Sequence, residues 1–409
     1  MSTTESAESA KPSKLPPFDP ADPIGIDDLL GPEDLAIRST VRAWAADRVL
    51  PHIAEWYENG ELPGIRELAR ELGSIGALGM SLQGYGCAGA TAVQYGLACL
   101  ELEAADSGIR SLVSVQGSLA MYAIHRFGSE EQRQQWLPGM AAGEIIGCFG
   151  LTEPDHGSDP AGMRTYAKRD GDDWILSGRK MWITNGSVAG VAVVWAQTDE
   201  GSGGSGIRGF VVPTGTPGFS APEIKHKWSL RASVTSELVL DEVRLPADAV
   251  LPGVTGLRGP LSCLGHARYG IVWGAMGAAR ASFESAVDYA KTREQFGKPI
   301  GGFQLTQAKL ADMAVELHKG ILLAHHLGRR MDAGRLRPEQ VSFGKLNNVR
   351  EAIEICRTAR TILGANGISL EYPVMRHATN LESVLTYEGT VEMHQLVLGK
   401  ALTGLDAFR

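Results

Sequence analysis

The apolar positions of this 409-residue chain repeat with two different periods, and the period changes twice along the sequence. From about residue 35 to 143 the pattern is helical, as in LAIRSTVRAWAADRV, where apolar residues recur largely at helical spacing. From about 145 to 256 the chain carries short runs rich in β-branched and aromatic residues, such as VAVVWAQT and IRGFVVP, with turn residues between them. From residue 259 onward long helical runs return. The pattern therefore predicts helices, then a sheet, then a helical bundle.

These two changes of period predict a multidomain α+β protein. We expect a disordered tail at 1–26, an N-terminal helical domain at 27–145, a β-domain at 146–258 and a C-terminal four-helix bundle domain at 259–409. The spacing of the short strands is typical of an antiparallel sandwich or barrel. Two runs of the last domain, about 303–333 and 338–363, are long enough to span on the order of 40 Å each, the scale of bundle helices.

Local signals refine three connections. Asp106 or Ser107 can cap the helix that begins after the second helical run. The segment SELVL and the segment VRLP are predicted as separate strands. GSGGSG at 201–206 is predicted to be a flexible loop between two strands and not a domain linker.

Composition narrows the range of functions. The formal net charge of −8 argues against general affinity for nucleic acid or an anionic membrane surface. The five cysteines show no CxxC and no metal-like spacing, which favours reduced thiols and predicts no metal site. The first residues contain no apolar run of a signal peptide, and no stretch reaches the 18 apolar residues of a membrane span. We expect a cytoplasmic protein without membrane insertion.

Five segments carry candidate chemistry: CFGLTEPDHGSDP at 148–160, MWITNG at 181–186, TREQFGKPI at 292–300, LGANGI at 363–368 and TYEGTVEMHQLVLGKAL at 386–402. Each one alone is more often an ordinary turn, a core aromatic, a solvated arginine or a helix C-cap. Together, and in this order, they resemble the acyl-CoA dehydrogenase family over nearly the whole chain. The resemblance implies FAD as the cofactor and the same helix–sheet–helix arrangement.

The resemblance also implies which residues contact FAD. Small residues and hydroxyl groups at the end of a strand allow the backbone to approach a flavin edge, and an arginine fork suits pyrophosphate oxygens. The flavin ring is expected to lie along Phe149, Leu151, Thr152, Gly157, Ser158, Trp182, Ile183 and Thr184, with Thr390 and Glu392 completing its site. The rest of the dinucleotide is expected at Arg293, Phe296, Gln304, Leu363, Gly364 and Gly367. In the family the LGANGI segment serves the flavin of a neighbouring subunit, which implies an oligomer, expected to be a homotetramer.

Glu388 in TYEGT is the predicted catalytic base. Removing the α-proton of a thioester requires a carboxylate held against the substrate and away from water, and burial raises a glutamate pKa above its reference of about 4.3. By resemblance the thioester carbonyl is held by the backbone N–H of Glu388, with Gly389 beside it. Some relatives place the base near CLGHARYGI instead, where this chain has Gly265 and no carboxylate. Glu388 therefore has no competitor from that segment.

A second set of segments resembles the glutaryl-CoA dehydrogenase branch of the family: ELEAADSGIRSLVSVQGSLAMYAIHRFGSEEQRQQWLP at 101–138, GYGCAG, WSLRAS, HARYGI and LTGLDAF. The resemblance implies that Arg110 pairs with the far carboxylate of a diacid substrate, whose desolvation needs a fixed cation. The other expected substrate contacts are Ser111, Ser114, Glu103, Ser158, Arg268, Tyr387 and Gly389. Taken by itself, Arg110 is more often a surface arginine in the first turn of a helix.

The reaction implied is oxidation of glutaryl-CoA followed by loss of carbon dioxide to give crotonyl-CoA, with electrons passed to an electron-transferring flavoprotein. Lysine or tryptophan degradation is the implied setting, and a biosynthetic role stays open. The alternatives are a short-chain monoacyl-CoA dehydrogenase, a glutaryl-CoA dehydrogenase that does not decarboxylate, and a relative of flavin monooxygenases or nitroalkane oxidases. From another class, a non-catalytic flavin-binding protein is disfavoured because the TYEGT carboxylate is present.

Overall fold

The N-terminal part of the computed structural model is helical, and the structure as a whole describes residues 17–199 and 203–407. Its helices are α1 (Pro32–Arg48), α2 (Ile53–Asn59), α3 (Ile65–Ser74), α4 (Ala92–Ala105), α5 (Ser107–Ser114), α6 (Tyr122–Phe127) and α7 (Glu130–Ala141). A π-helical segment, Val115–Met121, joins α5 to α6. Asp106 caps α5, because its carboxylate accepts a 2.7 Å hydrogen bond from the backbone N–H of Gly108. Residues 1–16 of the predicted tail lie outside the described residues.

The middle part is a curled sheet. Its strands are β1 (Gly147–Gly150), β2 (Tyr166–Asp170), β3 (Asp173–Thr184), β4 (Val191–Gln197), β5 (Ile207–Pro213), β6 (Phe219–Ser220) and β7 (Thr235–Leu245), in the order β1-β4-β2-β3-β7-β6 with β5 on β4. Most pairs are antiparallel as predicted, but β1 pairs with β4 in parallel. β2 also pairs with β4 in parallel, at Tyr166 and Gln197. Alternation of apolar residues does not encode strand direction, so the sequence did not predict these parallel pairs.

Three local predictions in this part differ from the structure or fall outside it. SELVL and most of VRLP belong to one strand, β7. Glu242 between them takes a left-handed conformation (φ 52°), and the strand continues through this irregularity. The polar strand β2 was not among the predicted strands, since its mostly exposed residues lack an apolar run. Residues 201 and 202 of the predicted GSGGSG loop lie outside the described residues, and Gly203–Gly206 forms a short 3-10 helix.

The C-terminal part is a bundle of long helices. Its elements are α8 (Arg258–Thr292), the two-residue strands β8 (Glu294–Gln295) and β9 (Lys298–Pro299), α9 (Gln304–Asp332), α10 (Pro338–Leu363), α11 (Pro373–Thr386) and α12 (Val391–Thr403). The predicted runs at about 303–333 and 338–363 agree closely with α9 and α10. The predicted fold class, with a helical part, a β-part and a helical bundle, is thus confirmed.

One hydrophobic core unites the two helical parts around α4 and α8. The two helices approach so closely that a Cβ atom on Gly277 would lie 1.9 Å from the backbone oxygen of Leu100. The first turns of α8 pack instead against the sheet, where Cys263 and Ala267 share a buried cluster with Phe149 of β1. The start of α8 is therefore fixed between the sheet and the helical core, and the candidate site lies at this junction.

Candidate active site

The loop Tyr387–Gly389 joins α11 to α12 and carries the predicted base. Glu388 has a left-handed backbone conformation (φ 53°) and Gly389 follows with φ 99°. A left-handed conformation at a non-glycine residue is strained and persists only where the surroundings impose it. One carboxylate oxygen of Glu388, Oε2, is buried and has no hydrogen-bond partner among the described residues. This loop therefore holds a buried carboxylate oxygen that no described residue binds.

Two cations from the bundle hold this loop by its backbone. Arg268 of α8 donates from Nε to the Glu388 carbonyl oxygen at 2.6 Å. Lys345 of α10 donates from Nζ to the carbonyl oxygens of Tyr387 and Gly389, at 2.5 and 2.6 Å. The carbonyls of three consecutive residues are thus each bound by a fixed side chain. Arg268 is among the residues predicted from the sequence, whereas Lys345 is not, because no pattern in VSFGKLNN marks it.

Burial shifts the pKa values of Glu388 in the loop and of Lys345 on α10. Removal from water raises the pKa of Glu388, while the cations Arg110, Lys345 and Arg268 act in the opposite direction. Burial likewise lowers the pKa of Lys345 to about 7, against the attraction of the Glu388 carboxylate. A carboxylate with a raised pKa is a stronger base than an ordinary surface glutamate.

A charged network lies beside this loop, at the floor of the site. Arg110 is 1 % exposed, and its Nε donates to Glu103 Oε2 at 2.6 Å while Nη2 donates to the hydroxyl of Tyr387. Ser107 donates to the other oxygen of Glu103 at 2.9 Å. A Cβ atom on Gly274 of α8 would lie 2.0 Å from Glu103 Oε2, so the network needs a glycine there. The structure thus brings Glu103, Arg110 and Tyr387 together and excludes the surface location for Arg110.

Two predicted hydroxyl groups lie on the same short helix as Arg110. The Oγ atom of Ser114 is buried and has no hydrogen-bond partner among the described residues, and the Oγ atom of Ser111 is buried beside the phenol of Tyr387 without a hydrogen bond of good geometry. A buried hydroxyl without a partner costs free energy, about 1–3 kcal/mol in mutational data, so such groups call for an explanation such as a ligand or ordered water. Both hydroxyls therefore fit a role in binding a polar group.

The N-terminus of α5 is anchored by Asp106. Its Oδ2 atom accepts from Arg376 at 2.5 Å and from Asn380 at 2.9 Å, both on α11. Asn380 in turn accepts from the backbone N–H of Leu230, in the WSLRAS segment, at 2.8 Å. This buried set connects three parts of the chain and fixes the direction of Arg110 and the two serines.

The sheet contributes the second wall of the site. Lys180 is fully buried and donates to Glu153 at 2.8 Å and to the carbonyl oxygen of Leu151 at 3.1 Å, which ties the LTEPDHGSD segment to β3. Burial lowers the pKa of Lys180 to about 8. Glu153 keeps a lowered pKa, because Lys180 and two backbone N–H groups stabilise its charge. Sequence patterns gave no sign of this buried ion pair.

A bulge in β3 turns Trp182 outward. The pairing with β7 shifts between Lys180 and Ile183, and Trp182 between them has φ 63° and is 59 % exposed. Ile183 instead packs in the sheet core, and Thr184 is half-buried at the strand end. Only Trp182 of these three predicted residues therefore presents a largely open side chain.

The remaining residues of the predicted flavin-ring set differ in accessibility. Phe149 and Leu151 are buried beneath the start of α8. Thr152 is half-buried, and Gly157 and Ser158 are exposed. Thr390 caps α12, since its Oγ1 accepts from the backbone N–H of Met393 at 3.3 Å, and Glu392 is exposed in the first turn of that helix.

The residues predicted to bind the rest of FAD lie at the opposite end of α8. Arg268 and Arg293 are 25 positions apart along this helix and its C-cap, roughly 37 Å at about 1.5 Å per residue. Phe296, 95 % exposed, lies in the hairpin after Arg293, and Gln304 begins α9. The Gly364–Ile368 helical turn lies beside them, where Asn366 donates to the hydroxyl of Tyr289 at 3.0 Å. Within one chain, Arg293 is therefore remote from the end of α8 that contacts the Glu388 loop.

The junction has the features that a flavin site needs. The sheet offers an exposed indole at Trp182 and an exposed Gly157 next to which a Cβ would meet nothing within 4 Å, and the Tyr387–Gly389 loop offers the buried Oε2 of Glu388. Apolar residues border the same region. Such a combination of a largely apolar wall with few polar groups is typical of a cofactor site. The residues present therefore fit a flavin, which Trp182, Thr152 and the backbone of the LTEPDHGSD segment would hold.

Comparison with known proteins agrees with this geometry. Three family models match the chain: the N-terminal domain of acyl-CoA dehydrogenase at residues 31–144, the middle domain at 148–243 and the C-terminal domain at 255–403. A curated relative, the mitochondrial short-chain specific acyl-CoA dehydrogenase of Bos taurus, is 35% identical over 365 residues, which are 88% of each chain. The chain belongs to the acyl-CoA dehydrogenase family, and the predicted membership is confirmed.

Two solved structures that are more similar to this chain are both glutaryl-CoA dehydrogenases. A glutaryl-CoA dehydrogenase from Mycobacterium smegmatis is 72% identical, with a TM-score of 0.92 over 95% of this chain and 99% of that one. A second glutaryl-CoA dehydrogenase from Mycobacterium smegmatis, solved in complex with FADH2, is 64% identical with a TM-score of 0.91 over 94% and 98% of the two chains. The predicted cofactor, FAD, is thus confirmed.

The described part of the chain offers neither a candidate metal centre nor a helix that could span a membrane. Within residues 17–199 and 203–407, no group of three or more His, Cys, Asp or Glu side chains is arranged to hold a metal ion. In the same residues, every helix is too short or too polar to cross a membrane.

The Lys180–Glu153 pair yields a first prediction. Lys180→Met leaves the Glu153 carboxylate buried without its cation, which we expect to cost about 3 kcal/mol or more. The change should also loosen the LTEPDHGSD segment, which is predicted to contact the flavin. The melting temperature and the ratio of bound FAD to protein should both fall. Replacing both partners, as in Lys180→Met with Glu153→Gln, should recover part of each loss. Unchanged FAD retention in the single variant would argue against a role of this pair at the flavin.

Proposed function

We propose that this protein oxidises and decarboxylates glutaryl-CoA to crotonyl-CoA and carbon dioxide. The observation that carries the proposal is the buried arginine at the floor of the site, Arg110, with buried hydroxyls of Ser111 and Ser114 on the same helix. An apolar acyl chain gains nothing from these groups, whereas a terminal carboxylate needs a fixed cation and hydrogen-bond donors to enter a buried site. The 72% identity to a glutaryl-CoA dehydrogenase supports the same substrate.

Glu388 is the proposed base. Its buried carboxylate oxygen takes the α-proton of the thioester, and the raised pKa matches that task. FAD, when bound, accepts the β-hydrogen as a hydride. The backbone N–H of Glu388 is proposed to donate to the thioester oxygen, where negative charge develops. The strained, pinned conformation of the loop keeps the carboxylate and this N–H in fixed relation.

Decarboxylation is the proposed step after oxidation. After oxidation, the bond between the γ-carbon and the carboxylate breaks, its electron pair enters the conjugated system and carbon dioxide leaves. The resulting dienolate accepts at its γ-carbon the proton that Glu388 had taken, which gives crotonyl-CoA and restores the base. Tyr387 connects the two ends of this sequence, because its hydroxyl contacts Arg110 and its neighbour is Glu388.

A short-chain monoacyl-CoA dehydrogenase is the second candidate. Arg110 already has protein partners in Glu103 and Tyr387, so a purely structural role is chemically consistent. The 35% identity to a short-chain specific relative points the same way, though at lower similarity. A third candidate is a glutaryl-CoA dehydrogenase that stops at the unsaturated diacid, and measurement of carbon dioxide separates it from the first.

We further propose an oligomer, expected to be a homotetramer, with an electron-transferring flavoprotein as acceptor and the cytoplasm as location. Arg268, which contacts the Glu388 loop, and Arg293, the predicted pyrophosphate contact, lie roughly 37 Å apart along α8, so one chain leaves a gap between the loop and that contact. A second subunit that presents its Arg293 and Gly364–Ile368 region to the flavin of the first would close this gap. The acceptor rests on the resemblance to the family.

The role of Glu388 is tested by Glu388→Gln. Reduction of the flavin by substrate should slow by about 1,000-fold or more, with FAD still bound, because the base is lost and the shape kept. In the unsubstituted enzyme, kcat/KM should fall as the pH drops through a pKa above about 4.3, since the base must be deprotonated and burial raises its pKa. The exposed Glu382→Gln on α11 is the matched control. Near-normal flavin reduction in Glu388→Gln would remove Glu388 from the chemistry.

The substrate is tested with glutaryl-CoA and butyryl-CoA, under anaerobic conditions, by following flavin absorbance and then released carbon dioxide once an electron-transferring flavoprotein is added. Glutaryl-CoA should bleach the flavin and yield carbon dioxide. Arg110→Met, combined with Glu103→Gln so that no buried charge is left unpaired, should lower kcat/KM for glutaryl-CoA by about 100-fold while sparing butyryl-CoA. The exposed Arg66→Met is the control. Bleaching by butyryl-CoA alone would favour the monoacyl reading.

The oligomer is tested by complementation. Glu388→Gln lacks the base, and Arg293→Met should retain less FAD because its proposed pyrophosphate contact is lost. If Arg293 serves the flavin of another subunit, co-expression of the two variants creates some sites with both residues intact, and activity should return to a fraction of normal. If both residues serve one site in the same chain, mixed assemblies should stay inactive. The mass in solution gives the number of subunits.

A further inference from the structure

Lys345 is a buried cation that the proposed reaction does not use directly. It is 2 % exposed, on α10, and its ammonium contacts the backbone on both sides of Glu388 through the carbonyls of Tyr387 and Gly389. A lysine is almost never fully buried without a specific partner. Here the partners are two carbonyl groups of the loop that carries the proposed base.

We propose that Lys345 is a positioning residue that fixes the conformation and the proton affinity of Glu388. This inference rests on the proposed role of Glu388 as the base. Lys345 itself touches no reacting atom and acts through the loop.

Lys345 and Arg268 bind a strained stretch of backbone. Glu388 holds φ 53°, a left-handed conformation that is strained for a residue with a side chain. Arg268 binds only the carbonyl of Glu388 itself, while Lys345 binds the carbonyls before and after it. Together the two cations bind three successive carbonyls and hold the strained residue from both sides. Without Lys345 the flanking peptides are free to rotate toward relaxed conformations, and the carboxylate turns with them.

Several charged groups act on the Glu388 carboxylate. The groups that face it are the cations Lys345 and Arg268, the Arg110–Glu103 pair, and the phenol of Tyr387. His394 of α12 also packs against the loop, within 2.9 Å of where a Cβ on Gly389 would lie, and burial lowers its pKa to about 3, so it adds no charge near neutral pH. Among these groups Arg110 is hydrogen-bonded to a carboxylate, whereas Lys345 and Arg268 donate to backbone carbonyls of the loop.

Burial brings the pKa of Lys345 close to neutral pH, so its charge depends on pH. Its hydrogen bonds to the loop do not require that charge. Its pKa is lowered to about 7, close to neutral pH, while an arginine in the same place stays charged. The neutral amine still has two N–H groups, one for each carbonyl. The geometric hold is therefore expected at all pH values, and the electrostatic effect on Glu388 only while the amine is protonated.

The test compares Lys345→Met with Lys345→Arg, and uses the exposed Lys319→Met of α9 as control. In Lys345→Met we expect the rate of flavin reduction to fall about 100-fold with KM changed less than about 3-fold, because the base is misplaced and substrate binding is kept. The acid limb of kcat/KM should move up by about one pH unit, since a nearby positive charge is lost. Lys345→Arg, which keeps the charge and the donors, should restore part of the rate.

A readout independent of turnover is the infrared band of the protonated Glu388 carboxyl, identified by its loss in Glu388→Gln. Its titration midpoint should rise in Lys345→Met and stay near normal in Lys345→Arg and Lys319→Met. Should Lys345→Met fold poorly, Lys345→Gln, which keeps an amide donor without the charge, provides the same comparison.

The outcomes separate this inference from the function on which it rests. If Glu388→Gln is inactive but Lys345→Met shows a normal rate and a normal Glu388 titration, only the inference about Lys345 fails. If Lys345→Met merely lowers the melting temperature and leaves the titration unchanged, Lys345 is structural and the inference is overturned. If Glu388→Gln stays active, the proposed base is wrong and the inference falls with it.

Discussion

The site depends on three hydrogen bonds from two cations, the half-buried Arg268 and the buried Lys345, to the backbone of one loop. Arg268 and Lys345 lie on different helices, and each meets Tyr387–Gly389 only because α8 and α10 pack at a fixed distance. The loop in turn presents Glu388 on one side and the Tyr387 phenol on the other. Both the proposed base and the charged floor therefore take their positions from the same helix packing, and the first turns of α8 transmit that packing to the sheet through Cys263 and Ala267.

A buried lysine serves each wall of the site in the same way. Lys180 ties the LTEPDHGSD segment to β3, and Lys345 ties the TYEGT segment to α10. Burial lowers the pKa of each, to about 8 and about 7, so both remain close to the point at which they lose their charge. In both cases backbone carbonyls are among the acceptors, which allows a loop without regular structure to be held rigidly.

The sequence predicted the architecture and the segments that form the candidate site. It did not predict the buried side chains that hold those segments in place. Long helical and strand periods predicted the three-part fold, and a recognisable TYEGT segment pointed to Glu388. Lys180, Lys345 and Gly274 escaped notice because their roles depend on contacts between distant segments, and a lone lysine or glycine inside a helix or strand has no local signature. Strand direction was missed for a similar reason: β1 and β4 pair in parallel although their apolar patterns are the same as those of antiparallel strands. The bulge that exposes Trp182 likewise depends on register with β7.

The glycine beneath the Glu103 carboxylate has a consequence for how this floor can change in evolution. Gly274 leaves room for that carboxylate and nothing more, since an added carbon would lie 2.0 Å from Glu103 Oε2. A lineage that gave up the arginine and its counter-ion for apolar side chains would open a void that Gly274 cannot fill, and a lineage that enlarged Gly274 first would expel the carboxylate. A change between a charged and an apolar floor therefore requires linked substitutions on α4, α5 and α8. Each single substitution is expected to be less stable than either end state. The acyl preference of such a site is therefore expected to be conserved over long periods.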